Sequence, residues 1–136
     1  MSGLPAEIGQ EPAPQPVGND PRPVIGGVGT EMMVHGARCV ACGYTLAYSR
    51  PRCPVCGGRL ESALYGPGGS VWACTTVRIA ISHIQPPYGL AYVDLDSGPR
   101  VLAHFDPAGS GSVRVGSSVR LAGLTPDGNP LIEAVG

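Results

Sequence analysis

From Val71 to the C-terminus, short apolar and β-branched runs alternate with turn-forming residues, which predicts a succession of short strands. Five runs are legible: SVWACTTVRIAIS, GLAYVDL, PRVLAHF, SSVRLAGL and PLIEAV. The second and third flank Asp96-Ser97-Gly98, whose glycine suits a tight hairpin. A Gly/Ser-rich connection from Asp106 to Gly116 separates the third from the fourth, and Pro126-Asp127-Gly128-Asn129 forms the last turn. A long first strand and a wide gap between strands three and four predict a five-stranded Greek-key barrel of the OB type.

Upstream the pattern dissolves. Residues 1–30 are dense in Pro and Gly without apolar periodicity, so they cannot bury enough surface to offset their ordering entropy. The expected class is mainly β, with a flexible arm over 1–34, a zinc ribbon over 35–62 and a barrel over 68–136. ESALYGPGGS ends in Gly66-Pro67-Gly68-Gly69, which reads as a turn or short linker.

The strongest chemical signal is Cys39-Val-Ala-Cys42, ten residues, then Cys53-Pro-Val-Cys56. Two such pairs are what one tetrahedral Zn(II) requires. Gly43 and Gly57-Gly58 follow the pairs, where glycine permits a positive φ and lets backbone N–H groups face sulfur. With four thiolates the coordination sphere is full, so one structural ion is expected, with no open position for catalysis. A redox dithiol would need only one such pair beside a βαβ pattern, which is lacking. Ten residues between the pairs are short for a rubredoxin-type iron centre. Cys74 lies within the first barrel strand and is expected to be a buried, inert thiol, since His83, the nearest base, stands nine residues away.

Charge refines this picture. The formal net charge is -1, and every basic residue is arginine. Four thiolates and one dication would shift the chain to -3. Arg38, Arg50, Arg52 and Arg59 surround the cysteines; they either soften that charge as solvated groups or recognise phosphate with their forks. From Ser70 onward four arginines face five acids, so Trp72, Tyr88, Tyr92 and Phe105 offer stacking without a basic groove. Nucleic acid is therefore disfavoured, and single-stranded nucleic-acid binding is the alternative reading. No apolar run is long enough to span a membrane, and no secretory signal is visible. A reducing, cytoplasmic location is expected, where clustered cysteines bind metal.

Catalytic motifs are missing. There is no nucleophile elbow, paired-histidine zinc motif or phosphate loop. Asp94 and Asp96 would share one strand face, but Asp96 opens a turn in which aspartate bonds its own backbone. His35, His83 and His104 form no recognisable dyad.

RCVACG, RCPVCGG, GGSVWACTTV, PPYGLAYVDLDSGPRVLAHF and VGSSVRL, in this order, resemble a prokaryotic family that joins a rubredoxin-like zinc ribbon to a C-terminal OB fold. The resemblance implies an accessory subunit, not catalytic alone, in a hetero-oligomer with a thiolase-like or other acyl-CoA enzyme. Condensing and acyltransferring enzymes, hydratases and aldolases are the partners it implies, with a CoA thioester housed at the interface. The metal ligands carry over to Cys39, Cys42, Cys53 and Cys56. Contacts to partner or CoA are placed at Arg38, Arg50, Arg52, Trp72, Tyr88 and Tyr92. Members of that family begin with a helical, aromatic docking segment; here no aromatic precedes Tyr44.

Overall fold

The computed structural model describes residues 23–28, 31–80, 84–109 and 111–135. These residues form nine strands and no helix. In the N-terminal sheet, β2 (Glu31–Cys39) is central. One of its edges pairs with β1 (Ile25–Val28) and then β3 (Thr45–Leu46); the other pairs with β4 (Leu60–Tyr65). The second unit is a closed barrel of β5 (Gly68–Val77), β6 (Tyr88–Leu95), β7 (Arg100–Phe105), β8 (Ser118–Leu124) and β9 (Pro130–Ala134). Its order is β5-β6-β7-β9-β8, all antiparallel except β7 against β9. This is the expected OB-type barrel.

Alternation with period two fills the barrel. Ala91, Val93 and Leu95 of β6, Val101, Ala103 and Phe105 of β7, Val119 and Leu121 of β8, and Ile132 of β9 all face inward. Burying a Val or Ile side chain contributes about 1.5–3 kcal/mol, so these alternating positions hold the barrel shut. The alternate residues along each strand point outward, among them Tyr92 and Leu102, which stand opposite each other.

Three expectations change. Within the flexible arm expected over 1–34, Val24, Ile25 and Val34 are instead buried and β1 pairs with β2. The apolar clusters PVIGGV and EMMV form a hairpin whose pairing outweighs the local Pro/Gly density; residues 1–22 lie outside the described residues. The linker shrinks to Gly66-Pro67, because Gly68 and Gly69 open β5. A Cβ on Gly69 would come within 2.6 Å of the Asp94 carbonyl oxygen, so glycine is what lets β6 approach. Finally, β5 ends at Val77 and Ile79 is exposed, whereas the apolar run suggested a strand to Ser82; residues 81–83 lie outside the described set.

Tyr65 ties the two units together. At the end of β4 it is buried and donates a 2.8 Å hydrogen bond to the Ala37 carbonyl of β2. Its ring also underlies Gly98 of the β6–β7 turn, where an added Cβ would stand 2.6 Å from Tyr65 Cδ1.

Candidate functional site

Two knuckles of the same build deliver the four cysteines. The Cys39 N–H donates to the Tyr44 carbonyl (2.9 Å) and the Gly43 N–H returns to the Cys39 carbonyl (3.0 Å). Fourteen residues on, the Cys53 N–H donates to Gly58 (3.0 Å) and the Gly57 N–H to Cys53 (2.9 Å). Gly43 and Gly57 take the positive φ values, +81° and +76°, that close each knuckle. Within each, a backbone N–H faces sulfur: Ala41 and Cys42 to Cys39 Sγ, and Val55 to Cys53 Sγ, all at 3.4 Å.

The four Sγ atoms lie within 4.8 Å of one another, with Cys39–Cys56 at 3.5 Å and Cys42–Cys53 at 3.7 Å, and none is in a disulfide. A tetrahedral Zn–S₄ centre with bonds near 2.3 Å has edges of about 3.8 Å, so the spacing fits a metal of that type. Cys39 and Cys53 are buried; Cys42 and Cys56 face outward.

Electrostatics favour the same use. The Cys42 N–H, aided by that of Ala41 and opposed by burial, draws the Cys39 thiol down to about 6. At Cys53 burial pushes upward, but the N–H groups of Cys56 and Val55 outweigh it and the pKa falls. At Cys56 the Gly58 N–H pulls downward, yet the neighbouring thiols of Cys39 and Cys42 win and push it up to about 12. Crowded sulfurs that resist losing their last proton release it to solvent when a central cation takes the thiolates as ligands.

The surrounding arginines do not act as a set. Arg38 meets Glu61 at 3.6 Å, Arg52 donates to the Gly57 carbonyl at 3.4 Å, and Arg50 lies 5.2 Å from the Tyr48 ring centre.

On the barrel, a bulge between Val71 and Ala73 turns Trp72 outward beside Tyr92, with ring centres 6.2 Å apart and edge-to-face. Arg100 covers the indole at 3.9 Å and is fixed by Asp94 through Nε (2.6 Å) and Nη2 (3.1 Å). Leu102 follows, so an exposed apolar band crosses β5, β6 and β7. Tyr88 is not part of it. It stacks on His104 at 5.8 Å, beside a cavity of about 450 Å³ at the other end of β6. Sequence reasoning missed Arg100, whose place over Trp72 depends on a bulge that no spacing announces.

The remaining candidates form no catalytic group among the described residues. Cys74 is partly buried, with Sγ 4.0 Å from the Val113 carbonyl, and His83 lies outside the described residues. Asp94 is committed to Arg100, and the Asp96 N–H donates to Gly68. His35 has a buried Nε2 without a partner. No helix among the described residues is long and apolar enough to cross a membrane.

The fold and site define a two-part β protein, a ribbon with four clustered thiols joined to an OB barrel. Residues 62–124 match the model of the ChsH2, C-terminal OB-fold domain family. The chain is 35% identical over 89 residues to a DUF35 domain-containing scaffold protein of Pyrococcus furiosus, covering 63% of this chain and 65% of that protein. A second such scaffold protein, from Methanothermobacter thermautotrophicus, is 27% identical over 90 residues, covering 63% and 68%. The match thus spans just under two thirds of the first relative's length. Among solved structures, a chain described as Ltp2-ChsH2(DUF35) aldolase shares the fold, with a TM-score of 0.59, 24% identity, and 74% of this chain and 83% of that chain covered.

Proposed function

We propose that this chain is a non-catalytic scaffold subunit of an enzyme complex acting on acyl-CoA substrates, holding one structural Zn(II) on Cys39, Cys42, Cys53 and Cys56. The observation that carries the reading is the exposed Trp72–Arg100–Tyr92 cluster, rigidly held on the outer barrel wall. Aromatic and arginine anchors that are already ordered lose little entropy on association, which is how interfaces concentrate their energy. The scaffold naming of both relatives supports the role, and the aldolase in the solved neighbour's description favours an aldolase among the partners. Thiolase- and ketosynthase-type acyltransferases and hydratases belong to the same reading through the sequence resemblance. Arg38, Arg50, Arg52, Trp72, Tyr88 and Tyr92 are the proposed contacts to partner or CoA thioester, and the setting is cytoplasmic.

Single-stranded nucleic-acid binding has weaker support. The exposed aromatics suit it, but Arg100 and Arg120 are neutralised by Asp94 and Glu133. The test is reconstitution: the candidate partner's acyl-CoA activity is measured with and without this chain. Activity that requires the chain, with none from the chain alone, supports the proposal; turnover by the isolated chain overturns it.

A further inference from the structure

The backbone hydrogen bonds of β2 divide by the parity of its residues. On the side of β1 and β3, the His35 N–H donates to the Val24 carbonyl (2.7 Å) and the Cys39 N–H to the Tyr44 carbonyl (2.9 Å). On the side of β4 the donor is even-numbered, the Val40 N–H to the Arg59 carbonyl at 3.0 Å. The β2–β4 register runs without a shift from Val34 opposite Tyr65 to Cys39 opposite Leu60. Bonded pairs recur at every second residue of an antiparallel ladder, so Glu61, Ala63 and Tyr65 bond to β2. Leu60, Ser62 and Leu64 turn their N–H and C=O groups the other way.

Nothing among the described residues meets those groups. There β4 pairs with β2 alone, and no backbone bond from a turn or loop reaches its outer side. Proteins that keep such an edge solitary blunt it with proline, lysine or a bulge, and β4 carries none of these. Its charge, Glu61, is turned to Arg38 of β2. Ser62 is exposed and Leu64 is 48% exposed, both on the same strand face as Leu60.

Charge and side-chain size select the occupant. With a second β4 laid antiparallel and Ser62 opposite Ser62, every outward N–H and C=O is paired. Each Leu60 then meets Leu64 of the other copy, and each Glu61 meets Ala63. An axis at Glu61 would instead set the two Glu61 carboxylates directly opposite, which is destabilising. An axis at Ala63 would carry Leu60 past the end of the facing strand at Tyr65. The strand is thus complementary to itself about a two-fold axis, as an isologous dimer requires.

We propose that the outer edge of β4 pairs with β4 of a second copy, about an axis at Ser62, and joins two ribbons into one sheet. The pairing uses no residue of the Trp72 cluster and does not rest on the docking role. One strand pair is a small contact, below the roughly 1,200 Å² of stable interfaces, so the dissociation constant should be on the order of 100 µM.

The test is sedimentation of the full, metal-loaded chain from about 5 µM to about 1 mM, with backbone amide hydrogen exchange at both ends of that range. The mass should pass from one chain to two. The amides of Leu60, Ser62 and Leu64 should gain protection with concentration, while those of Glu61, Ala63 and Tyr65 stay as they are. Ser62→Pro removes only an outward donor, so it should keep the metal and remain monomeric throughout. Leu64→Lys, which leaves the backbone intact, should weaken the dimer at least about tenfold. A chain that stays monomeric, or a dimer that survives both variants, would overturn the proposal. So would a dimer abolished by Trp72→Ala, which places the contact on the barrel, or full protection of Leu60, Ser62 and Leu64 in the monomer, which means that the chain covers its own edge. No enzyme partner is present, so a failure of the docking role leaves these outcomes untouched.

Discussion

Arg100 stands 3.9 Å above the ring centre of Trp72, although the two residues come from strands that are not neighbours in the barrel. β6 lies between them, and the bulge at Trp72 is what tips the indole across it. Asp94 completes the arrangement from β6, opposite Arg100 in register. Replacing Arg100 with Ala should therefore uncover the indole and shift tryptophan emission to longer wavelength, with little change in stability. Unchanged emission would mean that the cation does not cover the ring in solution.

The same pair sets an acid limb of stability. Arg100 holds the Asp94 carboxyl below its ordinary value, chiefly by hydrogen bonding. A depressed folded-state pKa contributes stability above the unfolded value, and that contribution is lost as pH falls through the folded value. Asp94→Asn should remove this dependence below about pH 4 and change little at pH 7. The effect should be small, because both side chains are nearly half exposed and solvent screens them. Thermal melts of both proteins between pH 2 and 7 would check it.

His104 works at higher pH. Burial lowers its pKa, against a smaller upward influence from Asp127. The folded chain therefore resists protonation that the unfolded chain accepts, so stability should fall as pH drops below about 6.5 toward the folded value. His104→Gln should flatten that segment of the melting-temperature curve.

The joint between ribbon and barrel is open to direct test. Gly98→Ala would press a methyl group into the Tyr65 ring and should cost about 1–3 kcal/mol, typical of overpacking. Tyr65→Phe should cost about 1 kcal/mol through the lost bond to the Ala37 carbonyl. Denaturant unfolding measures both. Two neutral results would show that the joint is not tightly packed.

Metal content tests the four-thiol site. One equivalent of colourless zinc per chain is expected, and iron with visible absorption would contradict that. Cys53→Ser should lose the metal and unfold at least the ribbon, while Cys74→Ser should keep it. A Cys53→Ser protein with full metal and full stability would sink the ligand assignment.

What could be read from the residues follows the range of the forces involved. The cysteine pairs and their glycines are local chemistry, and all four thiols converge as their spacing implied. The barrel strands were legible because their alternation records burial on one face. The hairpin of Ile25 to Val34 was not legible, since its stability comes from packing Val34 and Ile25 against distant strands while Pro and Gly dominate the local signal. Nor was the separation of Tyr88 from the Trp72 cluster, which depends on where each sits along β6. Arg100 gained its role only from the tertiary arrangement.

The scaffold role is tested most directly by purifying the tagged chain from its native extract beside a Trp72→Ala/Tyr92→Ala variant and identifying the co-purifying chains by mass spectrometry. The account predicts an acyl-CoA enzyme subunit, an aldolase or a thiolase-like chain, in fixed ratio with the wild type and lost with the variant. Recovery of nucleic acid alone, of no stoichiometric partner, or of the same partner with both proteins would contradict it.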